Sequence, residues 1–294
     1  MDQPVVALSF DVEEHHRIEA ASHLSCAPDL QALYAERMDA STRWLLDFLG
    51  ERGIRGTFFI VAKIAKSHPD LIRRIIAEGH EVASHSLEHR QVFRLKPDAF
   101  REDLRASKDI LEQASGAAVV GYRAPTFSIL RVTPWAIDIL AELGFRYDSS
   151  IFPVRHDRYG VYGAPRTPFI VHGERLEMLE MPPLTLRWLG QDLPMAGGGY
   201  FRLFPLWMMG NGLRQMARMG LPGVMYFHPW EFDPEQPQLP LTGISRFRTY
   251  VGIRRARRKL ERLLNRYRCR RMIDVVSELE QKRETLPKFD LSTH

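Results

Sequence analysis

The stretch VVALSFDVEE, residues 5–14, sets the fold class. Its apolar run predicts a buried strand, and the acidic residues that follow predict a loop at the strand's carboxyl end. Six further runs are also predicted as strands: GTFFIVAKI (56–64), EVASHS (81–86), AVVGYRAP (118–125), FRYDSS (145–150), LEMLEMP (176–182) and GVMYFHPWEF (223–232). Segments of helical periodicity separate the runs, which is typical of repeated βα units around a parallel sheet or barrel. We therefore expect an α/β fold.

The connections between these units differ in length. Asp39 or Ser41 is a candidate N-cap for a helix that Gly53 would end. Residues 16–37 and 159–175 are predicted as long connections, and such loops often form lids or substrate walls. In α/β barrels the loops at the carboxyl ends of the strands carry the catalytic groups, so the polar residues there are the candidates for chemistry.

Composition favours a soluble protein with a large core. The chain has 294 residues, of which 45% are hydrophobic. Asp2 lies where a secretory signal would carry positive charge, and no apolar run is long enough to span a bilayer, so we expect a cytoplasmic protein. Cys26 and Cys269 lack the paired spacing of a structural zinc site and are expected to be ordinary thiols.

Positive charge is concentrated near the carboxyl terminus. Residues 246–271 hold twelve Lys or Arg and one acid, Glu261. A helix over 251–267 would pack Ile253, Leu260, Leu263 and Leu264 on the barrel and turn its arginines outward. The arginines then form either a solvated face or a peripheral contact with anionic lipid at the inner membrane.

Two histidines and a group of acids indicate a metal site. His85 and His89 stand four apart in HSLEH, a spacing that places both imidazoles on one face of a helical turn. Asp11 and Glu13 share a face of the first strand. Two imidazoles and one carboxylate leave positions on a divalent ion for water and a substrate carbonyl, and the other carboxylate remains free as a base.

Three more residues lie at strand ends. His228 precedes Pro229, so its backbone is held extended, and its ring could protonate a leaving amine. Arg123 could hold a nearby carboxylate in its ionised form. Asp148, in YDSS, is either a structural acid or a partner of the site.

GGGYFRL, residues 197–203, has two interpretations. It could form a binding loop that presents Tyr200 and Phe201 to a sugar, or a barrel-closing turn with both aromatics in the core. Trp230 and Glu231 lie nearer the candidate chemistry and could line its pocket.

With these residues in order, the chain resembles the polysaccharide deacetylases, the NodB-homology group of carbohydrate esterase family 4 type. SFDVEE, HSLEH, RAPTF and YFHPW are similar to four of the family's five motifs, whereas the fourth, built around a tryptophan and an aspartate, is not clear. The resemblance implies a distorted (β/α) barrel over residues 1–235. Residues 236–294 would form a basic C-terminal helical extension packed on it.

The resemblance also implies a role for each matching residue. Asp11 would be the general base, His85 and His89 metal ligands, and His228 the general acid. Arg123 would orient Asp11, and the backbone N–H of Thr126 would help to hold the oxyanion. Most relatives carry two adjacent aspartates in the first motif. Here Val12 follows Asp11, so Glu13 or Glu14 would be the carboxylate ligand, and strand alternation favours Glu13. Zinc is the expected ion, with cobalt or nickel as alternatives.

DSSIFP, GGGYFRL and FHPWEFDP resemble the subgroup of the family associated with exosortase and exopolysaccharide loci. The implied activity is removal of N-acetyl groups from amino sugars of an exopolysaccharide or its lipid-linked oligosaccharide precursor. Two rivals remain. One is a related C–N hydrolase, allantoinase-like or deformylating, on a small amide. The other is a non-catalytic protein that binds carbohydrate or another polyanion, although nucleic acid is not the expected partner.

Overall fold

A computed structural model describes residues 3–156 and 159–293. The strands of this described part are β1 (Val5–Val12), β2 (Thr57–Ile60), β3 (Glu81–Ser84), β4 (Gly121–Tyr122), β5 (Tyr147–Asp148), β6 (Phe169–His172), β7 (Glu177–Glu180), β8 (Thr185–Trp188), β9 (Gln191–Pro194), β10 (Gly223–Phe227), β11 (Arg268–Arg270) and β12 (Lys288–Asp290). The α-helices are α1 (Pro28–Gly50), α2 (Ala62–Ser67), α3 (Pro69–Ala77), α4 (Pro97–Ser115), α5 (Trp135–Glu142), α6 (Gly198–Leu203), α7 (Leu206–Ala217), α8 (Gly243–Tyr250), α9 (Ala256–Leu264) and α10 (Met272–Glu280).

Ten of these strands form one sheet, and the expected α/β fold is confirmed. Along the sheet the order is β10-β1-β2-β3-β4-β5-β7-β6-β12, with β11 also paired to β1. All pairs in this sheet are parallel except β6 with β7. β8 and β9 form a separate antiparallel hairpin. Because the central strands are parallel, their carboxyl ends lie at one edge, where the site is found.

The core explains why these segments fold as they do. From Val6 onward β1 is buried on both faces, as expected of a central parallel strand. Phe10 stacks on Phe58 of β2, with ring centroids 5.0 Å apart. On α3 the buried residues are Leu71, Ile72 and Ile75, which form one stripe of an amphipathic helix. Burial of each such side chain contributes roughly 1.5–3 kcal/mol before entropy is counted.

Three local predictions are corrected. α1 begins at Pro28, a favoured first residue of a helix, so residues 28–37 belong to it and not to the predicted connection. The connection predicted over 159–175 contains β6. HSLEH, residues 85–89, is an irregular turn and not helical, because Ser86 and His89 have left-handed φ angles of 69° and 63°.

The region beyond residue 235 is only partly helical. It supplies α8, α9 and α10, but β11 and β12 are strands of the central sheet. The predicted helix over 251–267 is broken near Gly252, whose φ is 71°, and α9 begins at Ala256. Leu260, Leu263 and Leu264 are buried as expected. Alternation and helical periodicity gave no signal for β11 and β12, since each has three residues.

Among the described residues, no helix combines the length and the apolar content needed to cross a bilayer. Cys26 and Cys269 are both free thiols.

Candidate functional site

The ends of four strands bring most of the candidate residues together. Asp11 pairs in register with Phe59 of β2, and Phe10 with Phe227 of β10, so His228 emerges beside the end of β1. His85 follows β3 directly, and Arg123 follows β4. The side chains of Asp11, His85 and Arg123 are all buried.

Glu13, His85 and His89 form a candidate metal centre. One ligand atom from each residue lies within 4.8 Å of the other two. Glu13 Oε2 approaches His89 Nε2 to 2.5 Å, yet this buried oxygen has no partner in hydrogen-bond geometry. Two ligand atoms that lie close together without forming a hydrogen bond are expected when both face the position of one metal ion. The donor set of one carboxylate and two imidazoles suits a divalent transition metal.

The charge state of the cluster suits metal binding. Burial alone would raise the pKa of Glu13, but the nearby His89, His228 and His85 hold it below its usual value, so Glu13 is a carboxylate. Burial lowers the pKa of His85 to about 4, so its ring is neutral at pH 7. Its Nδ1 lies 2.8 Å from the carbonyl oxygen of Arg123 and must donate to it, which leaves Nε2 free for an ion.

Hydrogen bonds from backbone N–H groups to side chains hold the turn that carries His89, which is not helical. The His89 N–H donates to Ser86 Oγ, and the Leu87 N–H donates to Asp103 of α4. The two histidines therefore share one side because the turn is anchored, not because of helical spacing.

Glu14 faces elsewhere. Its carboxylate forms an ion pair with Arg17 at 2.5 Å, and it is not part of the cluster. The geometry thus favours Glu13 over Glu14 as the ligand.

Asp11 lies beside this centre in a network of its own. Arg123 Nη1 donates to Asp11 Oδ1 at 2.7 Å and to Ser9 Oγ at 2.8 Å. Arg123 Nη2 and Nε donate to the hydroxyl and carbonyl oxygens of Ser149. Arg123 is fully buried and held on several sides, so it fixes the direction of the Asp11 carboxylate.

His228 has a carboxylate partner in its own turn. Its Nδ1 lies 2.8 Å from Glu231 Oε1, which also accepts the His228 N–H. Glu231 is fully buried and receives a further hydrogen bond from Arg202 Nε at 2.7 Å. Burial lowers the pKa of His228, but Glu231 and the charge of Glu13 outweigh this and raise it to about 9. His228 is therefore a cation whose Nε2 lies 3.7 Å from Glu13 Oε1.

Asp148 does not contact His228. It accepts a hydrogen bond from Ser150, and it lies in register beside Glu180, another buried carboxyl. Both residues are fully buried in the sheet, so the structural interpretation of Asp148 fits its position.

The candidate groups open into one cavity of about 450 Å³. Thr126 lines it with a left-handed backbone, φ 57°. Trp230 Nε1 donates to Glu13 Oε1 at 3.3 Å, and Tyr200 also lines the cavity. GGGYFRL combines both interpretations, because it forms α6, with Tyr200 at the cavity and Phe201 in the core.

Two contributors escaped prediction. The sequence predicts no role for Arg202, and for Glu231 only a place in the lining of the pocket. The sequence HPWE holds a signal for Glu231, since a polar residue three positions after a turn's first residue can bond back to it. No local pattern indicates Arg202, which reaches Glu231 across 29 residues.

Comparison with protein families divides the chain near its middle. Residues 1–147 match the family described as polysaccharide deacetylase, and residues 149–277 match a domain of unknown function, DUF3473. The first half carries Asp11, Glu13, His85, His89 and Arg123, whereas His228 falls in the second.

Curated relatives are similar over part of the chain. A chitooligosaccharide deacetylase of Rhizobium leguminosarum bv. trifolii is 31% identical over 100 residues, which are 34% of this chain and 44% of the relative. A peptidoglycan-N-acetylglucosamine deacetylase of Bacillus cereus is 24% identical over 147 residues, or 46% of this chain and 50% of the relative. The chain thus spans half or less of the length of these relatives.

Solved structures share the fold over nearly the whole chain. One from Mycobacterium smegmatis, provisionally named a polysaccharide deacetylase, is 21% identical with a TM-score of 0.64, covering 98% of this chain and 94% of its own. PuuE allantoinase is 16% identical with a TM-score of 0.59, covering 94% and 90%.

Proposed function

Because this chain belongs to the polysaccharide deacetylase family, we propose that it is a metal-dependent hydrolase that removes N-acetyl groups from amino sugars and releases acetate. One observation carries the proposal. A buried cluster of metal-ligand type, Glu13, His85 and His89, lies in one cavity with a carboxylate, Asp11, and a cationic imidazole, His228. Amide hydrolysis needs these three functions: activation of water, a base and an acid for the leaving amine.

The three-residue cluster would hold the ion, with zinc as the first candidate and cobalt or nickel as alternatives. A bound divalent ion supplies Lewis acidity, which lowers the pKa of water and polarises the amide carbonyl.

The chain's own groups handle the protons. Asp11, fixed by Arg123, accepts a proton from the attacking water. His228, charged and held by Glu231, donates a proton to the sugar nitrogen as the C–N bond breaks. Water and the amide thus give acetate and a free amine, with each proton assigned to one side chain. The Thr126 N–H is proposed to face the oxyanion, and Trp230 and Tyr200 to contact the sugar.

The substrate proposed is an N-acetylated hexosamine polymer, either an exopolysaccharide or its lipid-linked precursor. The names of the two curated relatives, which refer to chitooligosaccharide and peptidoglycan N-acetylglucosamine, support this class of sugar. A cavity of about 450 Å³ is within the usual range for small-molecule sites. We place the protein in the cytoplasm, peripherally at the inner membrane, as part of the same proposal.

The decisive experiment measures acetate release from N-acetylglucosamine oligomers. Protein stripped of metal is reloaded with zinc or cobalt, and His85→Ala is compared with His172→Ala, a half-exposed histidine on β6. We expect release that metal restores, that His85→Ala loses and that His172→Ala keeps. Allantoin and formylated amides run alongside, and turnover of those alone would favour the related C–N hydrolase. Metal binding without turnover of any amide would favour the non-catalytic binding protein.

A further inference from the structure

Three apolar side chains surround the mouth of the cavity and remain in solvent. Leu203 of α6 is 48% exposed, and Ile244 and Phe247 of α8 are 69% and 57% exposed. All three line the cavity that holds His228. We call these three residues the entrance rim.

Hydrogen bonds from the largely buried side chain of Arg202 fix the entrance rim in place. Arg202, one residue before Leu203, donates from Nη1 to the carbonyl oxygens of Thr249 and Val251 at the end of α8. Gly252 leaves room for this contact, because a Cβ there would lie 2.7 Å from the Arg202 carbonyl oxygen. α6 and α8 therefore hold the apolar side chains outward. Their exposure to water in the folded protein is energetically unfavourable.

Positive charge borders the rim. Residues 236–260 contain seven Lys or Arg and no Asp or Glu. Arg246 and Arg248 flank Phe247 on α8, and Arg254 and Arg255 follow in the next turn; all four are exposed. Arg257 differs, since it donates to the Phe232 carbonyl oxygen and lies over the Trp44 ring, so it serves the fold.

We propose that the entrance rim and these four arginines bind the surface of an anionic lipid bilayer and direct the cavity mouth toward the headgroups. Phe247 offers a ring face, but Ile244 and Leu203 are aliphatic and offer a sugar neither a ring face nor a hydrogen bond, so two of the three rim side chains disfavour a glycan as occupant. Apolar side chains bordered by arginine are the pattern of interfacial helices, where the former enter the acyl boundary and the latter meet anionic headgroups. This inference deepens the peripheral membrane location proposed above by naming the surface that makes the contact, and it does not depend on the proposed hydrolysis.

The test is sedimentation of the full chain with vesicles of phosphatidylcholine, with and without phosphatidylglycerol. The rim variant is Ile244→Ser with Phe247→Ser. Its matched control is Trp188→Ser with Leu189→Ser at the tip of the β8–β9 hairpin, where the side chains are 48% and 91% exposed. A second variant, Arg254→Gln with Arg255→Gln, tests the charge. Circular dichroism confirms that each variant is folded.

We expect wild type and the hairpin control to bind anionic vesicles and to bind neutral ones weakly. The rim variant should bind about tenfold more weakly, and the arginine variant should lose the preference for anionic lipid. Any of three results would overturn the proposal: no vesicle binding by wild type, binding by the rim variant equal to that of wild type, or loss of binding only in the hairpin variant. Complete displacement by soluble glycerophosphate would also overturn it, because it would reveal a site for a free anion. Binding is measured without turnover, so failure of the hydrolase proposal would leave this result unaffected.

Discussion

At the residue scale, the partner of His228 is the first point to test. We expect Glu231→Gln to lower kcat by about 10²–10⁴-fold, because the amide keeps the shape but lacks the negative charge that keeps the imidazole protonated. Glu231 raises the pKa of His228, so its loss should also shift the alkaline fall in activity to lower pH. The measurement is a pH profile of acetate release, with the exposed Glu235→Gln as control. An unchanged alkaline limb would remove Glu231 from the role of positioning residue.

Asp148 and Glu180 give a second prediction, on stability. Burial raises the pKa of both carboxyls, that of Asp148 to about 6, so the folded protein retains protons that the unfolded chain releases above about pH 4. The pair's contribution is therefore full in acid and declines as pH rises through the folded values. We expect Asp148→Asn to match the wild-type Tm near pH 4 and to exceed it by a few degrees at pH 8.

The control for Asp148→Asn is Asp109→Asn on the exposed face of α4, which should leave the pH dependence of the Tm unchanged. Differential scanning across pH measures both variants. A lower Tm for Asp148→Asn at every pH would show that the carboxylate itself stabilises the fold.

The residues of the site were more predictable from sequence than their partners were. Asp11, His85 and His228 each directly follow or end an apolar run, and parallel strands bring such ends together. Periodicity cannot show that Arg202 meets Glu231, or that Asp148 turns toward Glu180, because those contacts depend on how distant elements pack.

At the scale of elements, strands that end in polar residues were predicted well and short or irregular ones were not. β1 and β10 each carry at least five buried residues. An apolar run of that length predicts a strand even where the conformational propensities of single residues differ. β11 and β12 have three residues and form only because their neighbours in the sheet bond to them. The turn over 85–89 needs left-handed backbone at Ser86 and His89, and its anchor is Asp103, which lies in another element.

The junction of α6 with β10 yields a third prediction. A Cβ at Gly197 would lie 1.7 Å from the Tyr226 carbonyl oxygen, so Gly197→Ala must move backbone. We expect a loss of roughly 1–3 kcal/mol or more in the free energy of unfolding. Gly50→Ala is the matched control, because nothing lies within 4 Å of a Cβ there. Urea denaturation measures both, and equal stabilities would show that the two elements separate easily.

At the scale of the whole molecule, the carboxyl-terminal region is bonded into the first strands. Glu81 of β3 accepts hydrogen bonds from the N–H of Ile273 in α10 and from the hydroxyl groups of Thr57 and Tyr147. We expect Glu81→Ala to lower stability by at least about 1–3 kcal/mol, since several buried donors lose their acceptor. Exposed Glu102→Ala on α4 is the control, and Tm is the measurement. An unaffected Tm would indicate that the hydrogen bonds to Glu81 contribute little to the docking of α10.

Metal binding should also be visible in the stability of the whole chain, because the candidate ligands come from two separate strand ends, after β1 and β3. An ion that binds only the folded state stabilises it by about 4 kcal/mol at a thousand times its Kd. We therefore expect zinc to raise the Tm of metal-stripped wild type by several degrees, and His89→Ala to abolish the increase. Glu13→Gln should weaken it strongly, whereas Glu14→Gln should retain it because Glu14 pairs with Arg17. A zinc response lost in Glu14→Gln and kept in Glu13→Gln would reverse the assignment of the carboxylate ligand, and no response in wild type would remove the metal from the site.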